Sequence, residues 1–251
     1  MRKALTLTAV LILAAGAASA WDSAYTETFD RTYSVDHGVS VGLENINGDV
    51  VVEVWDRPEV RVYAEKSASS AERLELLVIR VHESAGEIYV ETDYPDSRDL
   101  SREDRRGHSK VEYTLTVPRF AEIDEIELVN GDLRIDSVEG AIDAETVNGT
   151  IVVGGAAGRI DLETVNGGIE LRLGTAVGDD ISLSSVNGRI EVFCTGSADI
   201  RAETVNGRLS NDFGIEVRKG RYVGASMDGV VGGGGPIISM ETVNGSIHIG
   251  S

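Results

Sequence analysis

Cysteine is almost absent. The chain of 251 residues holds one, Cys194, so no intramolecular disulfide can form and no cysteine-rich zinc site exists. Cys194 ends the apolar run Ile190-Glu191-Val192-Phe193-Cys194 and is expected to be a small core residue. Aromatics make up only 5% of the chain, with two tryptophans, Trp21 and Trp55. That leaves few of the flat platforms on which sugars stack. The four histidines, His37, His82, His108 and His248, are scattered, with no pair at metal-ligand spacing. Basic residues are outnumbered 23 to 42 by acids, for a net charge of −19. Nucleic acid and anionic lipid both require clustered Lys and Arg, so the charge argues against both as partners. Nor does any stretch beyond the N-terminus run apolar for long enough to cross a bilayer, so an integral membrane protein is not expected.

The N-terminus has a different character. Arg2 and Lys3 precede an apolar run from Leu5 to Ala15, and Ala18-Ser19-Ala20 offers a small-x-small cleavage site before Trp21. This is the layout of a secretory signal peptide, expected over residues 1–20. Its removal would take the net charge to −21. The sequence thus predicts an exported protein, periplasmic or at the cell surface.

What dominates is repetition. Seven corners share one form, with an apolar residue, Asn and Gly. They are centred on Asn47-Gly48, Asn130-Gly131, Asn148-Gly149, Asn166-Gly167, Asn187-Gly188, Asn206-Gly207 and Asn244-Gly245. From Asn130 the spacings are 18, 18, 21, 19 and 38. The last is twice 19, and Met227-Asp228-Gly229 is the best candidate for a degenerate copy between, since Asp-Gly serves the same turn. Each corner is flanked by alternating apolar and polar residues, as in Ile160-Asp161-Leu162-Glu163-Thr164 and Ile169-Glu170-Leu171-Arg172-Leu173. That period is a strand with one buried face. A unit is strand, corner, strand and a small-residue return, with no room for a helix.

Asn and Gly are the residues most at ease with positive φ, which a sharp change of strand direction is expected to need. Two all-β architectures use such a corner. One is an antiparallel β-meander of Asn-Gly hairpins. The other is a parallel β-solenoid, β-helix-like, with coils of about 18–21 residues. In the solenoid, equivalent Asn side chains lie about 4.8 Å apart and can hydrogen-bond from rung to rung. The invariance of Asn favours the solenoid, because a hairpin would accept Asp-Gly or Gly-Gly. A recurrent Thr or Ser (Thr146, Thr164, Ser185, Thr204, Thr242) is expected to stack in the same way.

Three segments follow: the signal peptide 1–20, an N-terminal β region 21–125 with the first repeat and an irregular antiparallel segment, and a β-repeat solenoid 126–251. The non-repeating stretches 59–125 and 215–236 are candidate caps, which a strand stack needs at its open edges. Ser69-Ser70-Ala71-Glu72 can open one helical turn. Residues 94–110 read as a charged loop.

The Thr-Val-Asn-Gly corners, with the closing run Gly229-Val230-Val231-Gly232-Gly233-Gly234-Gly235-Pro236 and Glu241-Thr242-Val243-Asn244-Gly245-Ser246-Ile247, resemble the bacterial "putative adhesin" β-strand-repeat family of unknown function, over roughly residues 40–250. The resemblance implies a β-helix-like solenoid on an exported or envelope-associated protein. It supplies no catalytic residues.

The strongest candidate for chemistry is the column Glu44, Glu127, Glu145, Glu163, Glu203 and Glu241, each three residues before a corner Asn. Stacked carboxylates about 4.8 Å apart approach the spacing of a retaining glycosidase pair. A polysaccharide-processing β-helix enzyme is therefore the alternative reading. An active site, however, departs from a pattern, whereas these acids are the pattern. The acids could take up Ca²⁺, but the glycine-rich nonapeptide of calcium-binding solenoids is missing, so that reading is not favoured. The glycine run at 232–235 leads into a strand without Lys-Ser/Thr, which excludes a phosphate loop. No cofactor is expected. The expectation is a non-catalytic protein offering a repeated surface for adhesion, or for an envelope or surface partner that the sequence does not name.

Overall fold

The structure is a computed structural model describing residues 25–251 apart from 85, 97 and 175–177. The expected signal peptide and Trp21 lie outside the described residues.

Period-2 sequence becomes strand almost throughout. In chain order the strands are β1 (Tyr25–Ser34), β2 (Ser40–Asn47), β3 (Val50–Trp55), β4 (Glu59–Ala68), β5 (Val78–Ser84), β6 (Glu87–Asp93), β7 (Ser109–Pro118), β8 (Glu122–Asn130), β9 (Leu133–Asp136) and β10 (Ile142–Asn148). There follow β11 (Ile151–Gly154), β12 (Ile160–Asn166), β13 (Ile169–Leu173), β14 (Ile181–Asn187), β15 (Ile190–Cys194), β16 (Ala198–Asn211), β17 (Val217–Lys219), β18 (Ala225–Val231) and β19 (Ile237–Gly250). The one α-helix among the described residues, α1 (Ala71–Glu75), starts where Ser70 Oγ accepts from the Arg73 amide at 3.2 Å.

All 19 strands join one hydrogen-bonded network. Strands two apart in sequence pair in parallel and in register. Ile142, Asp143, Ala144 and Glu145 of β10 face Ile160, Asp161, Leu162 and Glu163 of β12, and Asn148 faces Asn166. The strands before the corners form one row, β6-β2-β8-β10-β12-β14-β19-β16. The strands after them form a second, β7-β3-β9-β11-β13-β15-β19-β16. The long strands β16 and β19 run through their corners and belong to both. Inward residues of both rows, such as Ile160 and Leu162 of one and Ile169 and Leu171 of the other, fuse into one core.

Order along the rows departs from order along the chain. β19 inserts between β14–β15 and β16. The gap of 38 residues therefore holds no degenerate corner. Met227, Asp228 and Gly229 lie within β18, antiparallel to β16 opposite Ala202, Arg201 and Ile200. At the other end β2–β3, the first repeat in sequence, lies inside β6–β7, and β5, β4 and β1 add antiparallel strands beyond. The segment 59–125 thus contributes a parallel strand to each row, β6 and β7, as well as edge strands, and Trp55 sits within the second row, opposite Pro118.

Candidate functional site

The corners carry the most regular chemistry. Each Asn amide donates to the next Asn carbonyl oxygen: Asn130 to Asn47 (3.0 Å), Asn148 to Asn130 (2.9 Å), Asn166 to Asn148 (3.0 Å), Asn187 to Asn166 (3.0 Å), Asn244 to Asn187 (2.9 Å) and Asn206 to Asn244 (3.1 Å). All seven sequence-predicted Asn residues lie in this one ladder.

The corner glycines are needed for a reason other than the expected positive φ. Of the seven, Gly48 alone has one (+127°). A Cβ on Gly149 would fall 1.9 Å from the Gly131 carbonyl oxygen, and on Gly188 1.6 Å from that of Gly167; Gly131, Gly167, Gly207 and Gly245 repeat the contact. Backbones of neighbouring repeats meet here with no space for a side chain. The same carbonyls explain the Thr/Ser column. These side chains are buried and donate to glycine rather than to one another: Thr164 to Gly149 (3.2 Å), Ser185 to Gly167 (3.2 Å) and Thr204 to Gly245 (3.2 Å).

Tyr94 closes one end of the ladder. Register from β2 to β6 places it opposite Asn47. Its hydroxyl accepts from the Asn47 amide (3.0 Å) and lies 2.8 Å from the Asn45 side-chain oxygen. Burial pushes its pKa up to about 12. The stretch after it, read as a loop, departs from the row at this ladder-capping contact. Sequence alone had no signal for this, because a tyrosine replaces the repeated residue.

Outside the core, the first row presents two columns. One is the acidic column, in spatial order Glu44, Glu127, Glu145, Glu163, Ser184, Glu241 and Glu203. The other is apolar: Ile46, Val129, Val147, Val165, Val186, Val243 and Val205, each 38–48% exposed. Sequence reasoning missed this second column, although an apolar residue before Asn recurs in every corner. Between the columns runs a groove floored by the Thr column. One part, about 210 Å³, spans Glu44 to Val186. A second, about 520 Å³, continues past Glu241 and Glu203 to the β17–β18 turn, where Val223 and Gly224 wall it.

The acids of this face are not neutralised. Among the described residues none of the six Glu in the column forms an ion pair, and Asp143 has only Arg159 at 3.9 Å. A bulge adds to them. Asp124 and Glu125 occupy the register shift between Ile123 and Ile126, with Glu125 at φ +65°. Burial, then Glu145, Glu125 and Glu44, raise the Glu127 carboxyl above its usual range. Burial, then Glu145, Asp161 and Asp143, raise Glu163. The second row differs, since its acids pair along the strand: Arg134 with Asp136 (2.8 Å), Arg172 with Glu170 (2.5 Å) and Arg189 with Glu191 (3.0 Å). Among the described residues no group of three or more His, Cys, Asp or Glu is placed to hold a metal ion, and no helix is long and apolar enough to cross a membrane.

Comparison with known proteins is limited to shape. No family model matches the chain, and no curated protein matches it. Among solved structures, a "putative cell adhesion protein" from Clostridium sporogenes is 15% identical, covering 89% of this chain and 99% of its own, with a TM-score of 0.43. A "putative adhesin" from Bacteroides fragilis is also 15% identical, covering 89% and 97%, with a TM-score of 0.34. A "putative lipid binding protein" from Parabacteroides distasonis is 13% identical, covering 89% and 96%, with a TM-score of 0.30. Likenesses this loose carry no argument about function.

Proposed function

We propose that this is an exported, non-catalytic β-repeat protein whose stacked coils form a parallel β-solenoid presenting a surface for adhesion or for an envelope partner. The observation that carries the reading is the outward face of the first row, where a Glu column and an apolar column repeat rung after rung beside an open groove. Such a surface suits extended contact, whereas a catalytic pocket is a singular feature. Parallel pairing of strands two apart, with corner Asn beside corner Asn, supports coils over a meander of hairpins. The division at residue 125 is one of sequence pattern, with 126–251 the repeat stack and 21–125 supplying two further coils and edge strands.

The raised carboxyls of Glu127 and Glu163 favour the enzyme reading to the extent that a general acid needs such a shift. Their causes, burial and like-charged neighbours, arise from the repeat itself. A turnover screen on neutral and acidic glycans should find no specific cleavage. Cleavage lost on Glu163→Gln would overturn the non-catalytic reading. For location, protease added to intact cells should remove a displayed protein. Protection until the outer layer is opened would place it in the periplasm and remove adhesion from the reading.

A further inference from the structure

The β17–β18 turn differs in kind from the rest of the surface. Gly220 donates to the Gly224 carbonyl (2.9 Å), closing a tight tip. Tyr222 is 86% exposed and Val223 68%, above every other exposed large hydrophobic residue described. Lys219 and Arg221 flank them without an ion pair among the described residues, and the Arg221 guanidinium lies 5.6 Å from the Tyr222 ring centroid. In a chain of net charge −19, this tip is basic and apolar together. The groove between the Glu and Val columns is acidic and apolar together. Each surface has what the other lacks.

Their placement matters as well. The tip stands at one end of the groove, beyond Val205 and Val243. The far end of the groove lies at Glu44 and Ile46, where β6 continues the row with Glu91 beside Glu44. The tip walls only the near part of its own groove and cannot fill the far stretch from Glu44 to Val165, but it can reach that stretch of another copy. The two surfaces are different patches, so such a contact is heterologous and leaves a free tip and a free groove at the ends of every assembly.

We propose that the protein self-associates head to tail, the 219–223 tip of one copy seating Tyr222 and Val223 against the Val column of the next, with Lys219 and Arg221 facing its Glu column. The proposal rests on reading that face as a contact surface and names a second copy of this chain as an occupant. Carboxylates that repel one another along the column gain opposite charges, and the two most exposed apolar side chains leave water. Association should weaken as salt screens the charges.

The test is sedimentation velocity of the exported chain from about 1 to about 100 µM at low salt. It uses wild type, a tip variant (Arg221→Glu with Tyr222→Ser) and a groove variant (Glu145→Lys with Glu163→Lys). All changed residues are outward, so thermal melting should confirm that each variant is folded. Wild type should form concentration-dependent, salt-sensitive oligomers. Each variant alone should associate at least about tenfold more weakly, as for loss of a central contact. An equimolar mixture should form a one-to-one dimer, since the tip variant keeps an intact groove and the groove variant an intact tip. Wild type that stays monomeric throughout, a variant that associates like wild type, or a mixture that stays monomeric would each overturn the proposal. None of these outcomes bears on display or on glycan turnover, so failure here leaves the broader reading to its own tests.

Discussion

The corner side and the return side of the repeats obey different rules. At the corners the step from Asn to the next strand never changes: Asn148 to Ile151, Asn166 to Ile169, Asn187 to Ile190. At the returns it varies freely, from Asp136 to Ile142, Leu173 to Ile181, or Cys194 to Ala198. All the variation in repeat length is absorbed there. The physical reason is contact distance. Backbones at the corners touch with no Cβ between them and share an amide ladder, so an extra atom has nowhere to go. A return has a tight point of its own, since a Cβ on Gly140, Gly158 or Gly178 would fall 2.2–2.5 Å from a carbonyl oxygen of the neighbouring repeat, but it shares no side-chain ladder and its length elsewhere is free to vary.

The sharpest way to break this contrast is insertion. One Gly added between Asn166 and Gly167 should abolish cooperative unfolding, because a one-residue slip turns every later inward residue outward. The same insertion in the return, after Gly174, where an added Cβ would meet nothing within 4 Å, should cost less than about 0.6 kcal/mol, the scale of a modest change in loop length; urea titration of both checks this. Next in size is Gly167→Ala, whose Cβ would meet the Gly149 oxygen at 1.8 Å. It should destabilise by about 3 kcal/mol or more. Gly38→Ala has open space around it and only an unfavourable φ of +83°. It should cost about 1–2 kcal/mol.

Smaller effects refine the same contrast. Thr164→Val removes a buried hydroxyl that donates to Gly149 and should cost about 1 kcal/mol. Asn166→Ala removes one amide bond given and one received. It should cost more than Asn206→Ala, which ends the ladder with one bond. Smallest is Glu163→Gln, which should stabilise by about 0.2–1 kcal/mol at neutral pH by relieving like charges in the column. Raised carboxyl pKa values at Glu127, Asp143 and Glu163 mean that the folded state takes up protons before the unfolded state does. Their contribution to stability therefore grows as pH falls through those raised values and is absent above them. Asp30 acts in the opposite sense. Hydrogen bonding to Arg61 lowers its pKa, so its contribution is present above the ordinary Asp range and is lost as pH falls through the lowered value. Melting curves of wild type and Glu127→Gln/Glu163→Gln between neutral and mildly acidic pH should converge as pH falls.

Most of the local structure was legible, because period-2 alternation specifies which side chain is buried and the Asn-Gly pairs mark where strands turn. Asn166 and Gly167 could be picked out from sequence, but the reason for Gly167 could not. A missing Cβ looks the same whether it serves a dihedral angle or a neighbouring backbone. Spatial order was hidden for a related reason. The strands of the last coil, Ile237–Gly250, pair equally well in sequence terms with any coil carrying the same pattern, so nothing local says that Ser185 meets Thr242 rather than Thr204. Tyr94 was hidden because a ladder cap departs from the repeat that would reveal it. The Val column was visible as a pattern but not as a surface, since the residue after a buried Thr at the corner has no fixed phase until the fold sets it.

The most direct measurement concerns that spatial order. With Cys194 changed to Ala, paired cysteines are placed at outward corner positions and oxidised. Val186→Cys with Val243→Cys puts the pair on adjacent parallel strands about 4.8 Å apart, within disulfide reach. Val186→Cys with Val205→Cys puts it two strands apart, beyond reach. Rapid, near-complete linkage of the first pair and none of the second is the expected result. Linkage of 186 to 205 in place of 186 to 243 would mean that the coils stack in chain order, and would contradict the interposed final coil on which the ladder and groove depend.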